Sequence, residues 1–172
     1  MILQEEIEKQ IKNLNEYQKK FIETTKDLFS IIPSEKIRST SFVNFNTKSK
    51  ILEIYIEHID MPDIPLLFII HGDMIEISCS EFEYYMDSIG KALFNGLQKE
   101  EFYSNVKDFV NSTLRGKFNI NLYSYKGKIV KSEIVWNDNI YPSYQRSYIL
   151  LSFLSKKRVL KKEEINIKSF IE

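Results

Sequence analysis

Hydrophobic residues recur three and four positions apart through the start of the chain, with charged residues between them. This spacing is typical of an amphipathic helix, and it predicts one long helix over residues 2–29 that ends before Pro33. A strict spacing of seven within it leaves two interpretations open, a helix packed on its own domain or an arm that pairs two copies of the chain. The residues at this spacing are Ile7, Leu14, Phe21 and Leu28.

Strands are predicted next. Residues 51–57 are rich in β-branched side chains, and residues 41–46 alternate more weakly between apolar and polar. The segment that follows, residues 60–63, is rich in turn-forming residues. Because a proline has no backbone N–H to donate, Pro62 and Pro65 predict an irregular connection at this point.

A hairpin is predicted over residues 66–70 and 74–79, with Gly72 in its turn. Ser80 and Glu83 then have the spacing of a capping box, in which each side chain bonds the backbone of the other residue. This pattern predicts a helix over residues 81–95.

The second half of the chain predicts a helix, a hairpin and two further elements. These are a helix over residues 99–114, strands over 118–125 and 128–136 joined by Lys126 and Gly127, a helix over 144–154, and an edge strand over 165–170. Strands and helices do not alternate one for one, which argues against a parallel α/β sheet. We therefore predict a single α+β domain over residues 1–172, with helices packed on one face of an antiparallel sheet.

Charge is separated along the chain, although 24 basic and 24 acidic residues make the net charge zero. Residues 51–90 contain nine acidic residues and no lysine or arginine, whereas residues 115–162 contain eleven basic residues and two acidic ones. The two segments could neutralise each other as neighbours in one sheet. Alternatively, the acidic residues share a surface whose field attracts a basic partner.

Composition excludes several classes of function. A net charge of zero gives no general attraction to nucleic acid or to an anionic membrane. Cys79 is the only cysteine, which excludes a disulfide framework and cysteine-rich zinc modules and favours the cytoplasm. A buried, inert thiol is the simpler interpretation of Cys79. The N-terminus lacks the pattern of a signal peptide, and the longest apolar run is too short to span a membrane.

The two histidines suggest an alternative chemistry. His58 and His71 are each followed two positions later by an aspartate, Asp60 and Asp73, and two histidines with a carboxylate can hold zinc or iron. A metal-dependent enzyme or sensor is therefore one alternative, with histidines in solvated loops as the simpler interpretation. No phosphate-binding glycine loop or catalytic motif is present, and we predict no catalytic residue, metal or cofactor.

Residues 66–136 resemble small bacterial immunity proteins, which neutralise polymorphic or contact-dependent toxins. The resemblance rests on a hairpin that ends in an acidic, aromatic helix start (residues 72–85), an amphipathic helix that follows it, and a second hairpin (residues 122–132). It implies a protein that binds a toxin and blocks it.

Charge pattern and resemblance together predict a non-enzymatic, cytoplasmic protein that binds a basic protein partner, such as a toxin domain. Carboxylates would pair with basic residues of the partner, and tyrosines such as Tyr55 and Tyr84 would act as buried anchors. A homodimer through residues 2–29 is the third alternative. The predicted binding residues are Asp60, Asp63, Asp73, Glu81, Glu83, Tyr84 and Asp87.

Overall fold

The protein has an α+β fold whose sheets are antiparallel, as predicted. The computed structural model describes residues 2–71, 75–79, 82–85, 99–137, 144–147 and 160–171. Among them are three α-helices, α1 (Ile2–Gln10), α2 (Glu16–Ser30) and α3 (Lys99–Leu114). The strands are β1 (Phe42–Asn46), β2 (Ile51–His58), β3 (Met61–Ile70), β4 (Ile75–Cys79), β5 (Phe82–Tyr85), β6 (Phe118–Tyr125), β7 (Lys128–Trp136), β8 (Tyr144–Ser147) and β9 (Lys161–Asn166).

The chain divides into two compact units. The first contains Met1–Arg115 and Phe170–Glu172, and the second contains Gly116–Ser169. Each unit has its own sheet, so the single predicted sheet is replaced by a five-stranded and a four-stranded one. That residues 1–172 form one domain stays a prediction.

The first unit is built on a five-stranded sheet in which each strand pairs with the next along the chain, in the order β1-β2-β3-β4-β5. Side chains alternate between its two faces. One face is apolar and packs against α2, where the ring of Phe29 meets Phe68 edge-on at 5.6 Å. The fully buried residues of this face are Leu52, Ile54, Ile56, Leu66 and Phe68, with Ile70 almost as deep.

The single long N-terminal helix is a wrong prediction, because the chain breaks between α1 and α2. A short 3₁₀ turn (Ile11–Asn13) and an extended Leu14 separate the two helices. The Asn15 side chain then accepts a hydrogen bond from the Gln18 N–H at 2.9 Å, and the Gln18 side chain accepts one from the Asn15 N–H. This capping box starts a new helix.

The apolar stripe of the N-terminal region is buried within the first unit. All four residues at the spacing of seven (Ile7, Leu14, Phe21, Leu28) are less than a tenth exposed. The stripe therefore packs on its own unit, as the first of the two interpretations predicts. Pairing of two copies through residues 2–29 stays a prediction.

The predicted irregular connection around Pro62 and Pro65 belongs to strand β3, so its extent was predicted wrongly. His58 lies opposite Met61, and the next pair in the register is Ile56 with Leu66. Residues 62–65 therefore face a single residue of β2 and form a bulge. Because the bulge lies outside the ladder of paired residues, neither proline has to donate a backbone hydrogen bond there.

Two predicted helices begin as strands. Residues 82–85 form β5, which pairs with β4, and residues 144–147 form β8, which pairs with β7. The capping box proposed for Ser80 and Glu83 is therefore wrong, because a helix cannot start where the backbone is extended. Phe82, Tyr84 and Tyr85 are residue types that favour strands, and pairing with a neighbouring strand outweighs the local capping pattern. The rest of both predicted helices lies outside the described residues.

The second unit is built on a four-stranded sheet in the order β8-β7-β6-β9. Helix α3, in the first unit, and strands β6 and β7 have the predicted bounds, and the Lys126–Gly127 turn has the two positive φ angles of a tight hairpin. Strand β9 lies at the sheet edge, as predicted, but begins four residues earlier. The buried face of this sheet contains Phe118, Ile120, Val130, Ile134 and Trp136.

An ion pair joins α2 to α3, and through it the free energy of unfolding depends on pH in the acid range. Lys107 Nζ lies 2.6 Å from Asp27 Oδ2, and this hydrogen bond is the main cause that holds the pKa of Asp27 below its ordinary value of 3.8. The pair therefore stabilises the fold above pH 3.8, and its contribution is lost as the pH falls through the lowered pKa. Because both side chains are about half exposed, we expect a contribution of about 0.2–1 kcal/mol.

Urea unfolding of Asp27→Asn between pH 2 and 6 should lack this part of the acid dependence. In a Lys107→Gln background, Asp27→Asn should no longer alter the pH dependence of the free energy of unfolding. If it alters this dependence as much as it does in the wild type, the Asp27–Lys107 pair is not the cause.

Candidate protein-binding surface

The acidic and basic segments of the sequence fall in different sheets. Strands β2 to β5 carry most of the acidic segment, and strands β6 to β9 carry most of the basic one. The described strands of the two segments do not pair with each other, so the interpretation in which they are neighbours in one sheet is wrong.

The face of the five-stranded sheet opposite the buried one is only half covered. On β1, β2 and β3, the register brings together six residues that share this face: Phe42, Tyr55 and Leu67 in one row, and Asn44, Glu53 and Ile69 in the next. We call these six residues the outer face. Phe42 is 42% exposed, Asn44 is exposed, and the other four are half-buried.

The centre of the outer face is a pair of stacked aromatic rings. Phe42 and Tyr55 lie directly opposite each other on β1 and β2, with ring centroids 5.1 Å apart and planes 12° from parallel. Leu67 continues this row on β3. A partly exposed aromatic pair on a sheet face is the type of group that protein interfaces use as an anchor.

Glu53 supplies the negative charge of the outer face. Its Oε2 atom accepts a hydrogen bond from Asn44 Nδ2 at 3.1 Å, and among the described residues no cation forms an ion pair with it. The carboxylate is thus held in place beside the aromatic pair.

Glu57, on the same strand, has a structural role instead. It is 8% exposed, accepts a hydrogen bond from Thr40 Oγ1, and lies 3.4 Å from Arg38 Nη1. These contacts hold residues 38–41 against the end of β2. Burial, with the nearby Glu57 charge as the second cause, raises the pKa of Tyr55 above its ordinary value.

The structure brings two of the predicted binding residues to one end of the β2–β3 hairpin. Asp60 lies in the turn, exposed, where its backbone N–H donates to His58 Nδ1 at 3.1 Å. Asp63 is exposed in the β3 bulge. Between His58 and Asp60, Ile59 is 50% exposed and gives this acidic turn an apolar tip.

The other predicted binding residues lie further away or outside the described residues. Glu83 and Tyr84 are on β5, opposite Ser78 and Ile77, at the far edge of the sheet from β1. The row of Phe42, Tyr55 and Leu67 runs on to Ser78 and Glu83, which places the Glu83 position about 14 Å from Tyr55 at 4.8 Å per strand. Asp73, Glu81 and Asp87 lie outside the described residues.

The two histidines cannot share a metal ion. His58 lies opposite the first residue of β3, and His71 follows its last residue, which lies opposite Leu52. Six residue steps of β2, from His58 to Leu52, span this length, so roughly 20 Å separates the two histidines along the sheet. His58 is 3% exposed and packs edge-on against Phe170 at 5.1 Å, whereas His71 Nε2 lies 3.8 Å from Glu76 Oε2. Among the described residues, no group of three His, Cys, Asp or Glu side chains could hold a metal ion.

Sequence reasoning missed Phe42 and Asn44. The weak alternation of residues 41–46 contained the signal, since Phe42 and Asn44 fall on one side of the strand and Val43 and Phe45 on the other. What it lacked was the register with β2, which places Phe42 on Tyr55 and Asn44 on Glu53.

No helix among the described residues is long and apolar enough to cross a membrane. No known family model matches this sequence, and comparisons with curated proteins and with solved structures found no match.

Proposed function

We propose that the protein is a bacterial immunity-type protein that binds a basic toxin domain in the cytoplasm and blocks it, without catalysing a reaction. The observation that carries this proposal is the outer face, where a stacked aromatic pair, exposed at Phe42 and half-buried at Tyr55, lies beside a carboxylate that has no cationic partner among the described residues. The resemblance of residues 66–136 to immunity proteins supports the same conclusion.

The arrangement suits a protein partner because it combines anchoring with steering. Phe42, Tyr55, Leu67 and Ile69 offer apolar area that a partner can bury, which is the main source of affinity in protein interfaces. The carboxylates of Asp60 and Asp63 at the hairpin end extend the negative field, which accelerates association with a basic partner more than it tightens binding.

The proposed mechanism is occlusion. The acidic residues pair with basic residues around the toxin's active site, and the aromatic pair packs against the adjoining surface, so that the substrate cannot enter. Such inhibition is stoichiometric, and it requires no metal, cofactor or catalytic group from this chain.

A pull-down from a lysate of the native host tests the proposal. We expect one partner that is retained at low salt and released at high salt, that carries a basic surface, and whose toxic activity stops at a one-to-one ratio with this protein. A retained partner whose activity is not inhibited would overturn the immunity function.

Charge reversal at the hairpin end tests the steering. Asp60→Lys combined with Asp63→Lys should lower the association rate constant about tenfold or more at low salt and flatten its salt dependence, because the attracting field is reversed. Surface plasmon resonance with the captured partner measures both quantities. The control is Glu163→Lys, a reversal at an exposed glutamate on β9, which should leave the rate nearly unchanged. Equal rates for all three proteins would contradict a role for this acidic turn.

A further inference from the structure

The outer face has the chemistry to select one type of side chain from its partner. Resting on the proposed function, we infer that it binds an arginine, whose guanidinium stacks on Phe42 and donates hydrogen bonds to Glu53 and Asn44. The partner is accordingly a protein that presents an arginine on its basic surface, and lysine in the same place is a poorer fit.

The stacking surface is the side of the Phe42 ring that faces away from Tyr55. Phe42 lies on β1, the edge strand among the described strands, with no further described strand beyond it. Tyr55 fixes the ring from behind by parallel stacking at 5.1 Å, and the ring is 42% exposed. The ring is therefore preorganised for a planar group that adds to the stack, and less conformational freedom is lost on binding.

The hydrogen-bond acceptors lie in the next row of the same face. Asn44 is two residues along β1 from Phe42, and Glu53 lies opposite Asn44, diagonally across from Phe42 at about 7–8 Å. The Asn44 amide donates an N–H to Glu53 Oε2 at 3.1 Å. The carbonyl oxygen of the Asn44 side chain and the second carboxylate oxygen of Glu53 are left as acceptors. A group that reaches them from the Phe42 ring must be planar, cationic and rich in donors.

Guanidinium meets these conditions and ammonium does not. It is flat, carries five N–H donors in a fixed fork, is weakly hydrated, and stacks on aromatic rings while it bonds a carboxylate. Lysine brings the same charge as a compact, strongly hydrated point, so it can pair with Glu53 but cannot use the ring face in the same way. None of the six residues of the outer face is a lysine or arginine, and among the described residues no cation forms an ion pair with Glu53.

Two peptides of equal charge test the inference. The probes are acetylated, amidated tetra-arginine and tetra-lysine, titrated into the full chain at low salt while NMR follows the Phe42 ring and the Asn44 side-chain amide. We expect the arginine peptide to bind about fivefold more tightly, the ratio that about 1 kcal/mol of cation–π stacking gives, and to shift both signals. Equal affinities for the two peptides, or NMR shifts that affect neither the Phe42 ring nor the Asn44 amide, would overturn the inference.

Variants assign the preference to individual groups. Phe42→Leu should reduce the arginine-to-lysine ratio to about one, and Phe42→Tyr, which keeps the ring and guards against misfolding, should preserve it. Glu53→Gln should weaken both peptides, because it removes the charge. Matched controls are Tyr17→Leu, an exposed aromatic on α2, and Glu163→Gln, an exposed carboxylate on β9; both should leave the ratio unchanged.

The failure of this inference can be told apart from the failure of the proposed function. If the wild-type chain captures and inhibits a toxin, but Phe42→Leu captures it equally well, the arginine site is wrong and the function stands. If the arginine preference is present and depends on Phe42, but the captured partner is not inhibited, the site stands and the immunity function is wrong.

Discussion

Replacing Phe170 by alanine should destabilise the first unit by about 3–5 kcal/mol, the usual cost of removing a buried phenylalanine side chain. Phe170 is completely buried although it lies near the end of the sequence. Its ring packs edge-on against His58, and its N–H donates to the Leu114 carbonyl at 2.7 Å. The loss therefore removes apolar contacts and leaves a cavity at the place where β2 ends.

The consequence for function follows from the neighbour of Phe170. His58 accepts the backbone hydrogen bond of Asp60, so the cavity would loosen the turn that carries the acidic residues. Urea unfolding followed by hydrogen exchange in β2 and α3 measures the effect. Phe42→Ala, the same change at an exposed phenylalanine of the same unit, should cost about 1 kcal/mol, mostly its stacking on Tyr55. Similar costs at both positions would show that Phe170 is not part of the core.

Elements with strong local signals could be predicted to the residue. Helix α3 has apolar residues at helical spacing and ends before Gly116, and β6 and β7 alternate around a Lys-Gly turn. In each case the pattern, the turn residues and the partner strand lie close together in sequence. Local physics and tertiary structure agree there, so few alternatives compete.

Elements whose state depends on a distant partner were predicted less well. The β5 segment contains a plausible helix start, yet it pairs with β4, and the prolines of β3 are tolerated because a bulge takes them out of the ladder. The break between α1 and α2 had a local signal, the Asn15–Gln18 capping box, which the continuous apolar stripe outweighed in the sequence pattern.

The candidate surface was predictable in charge but not in shape. The run of acidic residues is visible in the sequence, as is the shared face of Glu53 and Tyr55. The stacking of Phe42 on Tyr55 and the bond from Asn44 to Glu53 depend on the register of β1 against β2, which no turn sequence specifies.

Gly116→Ala should destabilise the second unit by about 2–5 kcal/mol, for two separable reasons. Gly116 follows α3 with φ +63°, a left-handed conformation that costs a residue with a Cβ about 1–2 kcal/mol. A Cβ built at this position would also lie 2.4 Å from the Ile167 carbonyl oxygen, with two backbone carbons at 3.0 Å. Because the obstacle is backbone, the chain around Ile167 must shift, at about 1–3 kcal/mol more.

Gly127→Ala separates the two contributions. Gly127 has φ +76°, but an added Cβ would meet nothing within 4 Å, so the substitution carries the conformational cost alone, about 1–2 kcal/mol. The difference between the two variants in urea unfolding measures the clash with Ile167. Because β9 ends one residue before Ile167, a large difference means that the close approach of Gly116 sets where the chain leaves the four-stranded sheet. Equal losses would mean that this segment yields freely, and that the close approach of Gly116 does not set where β9 ends.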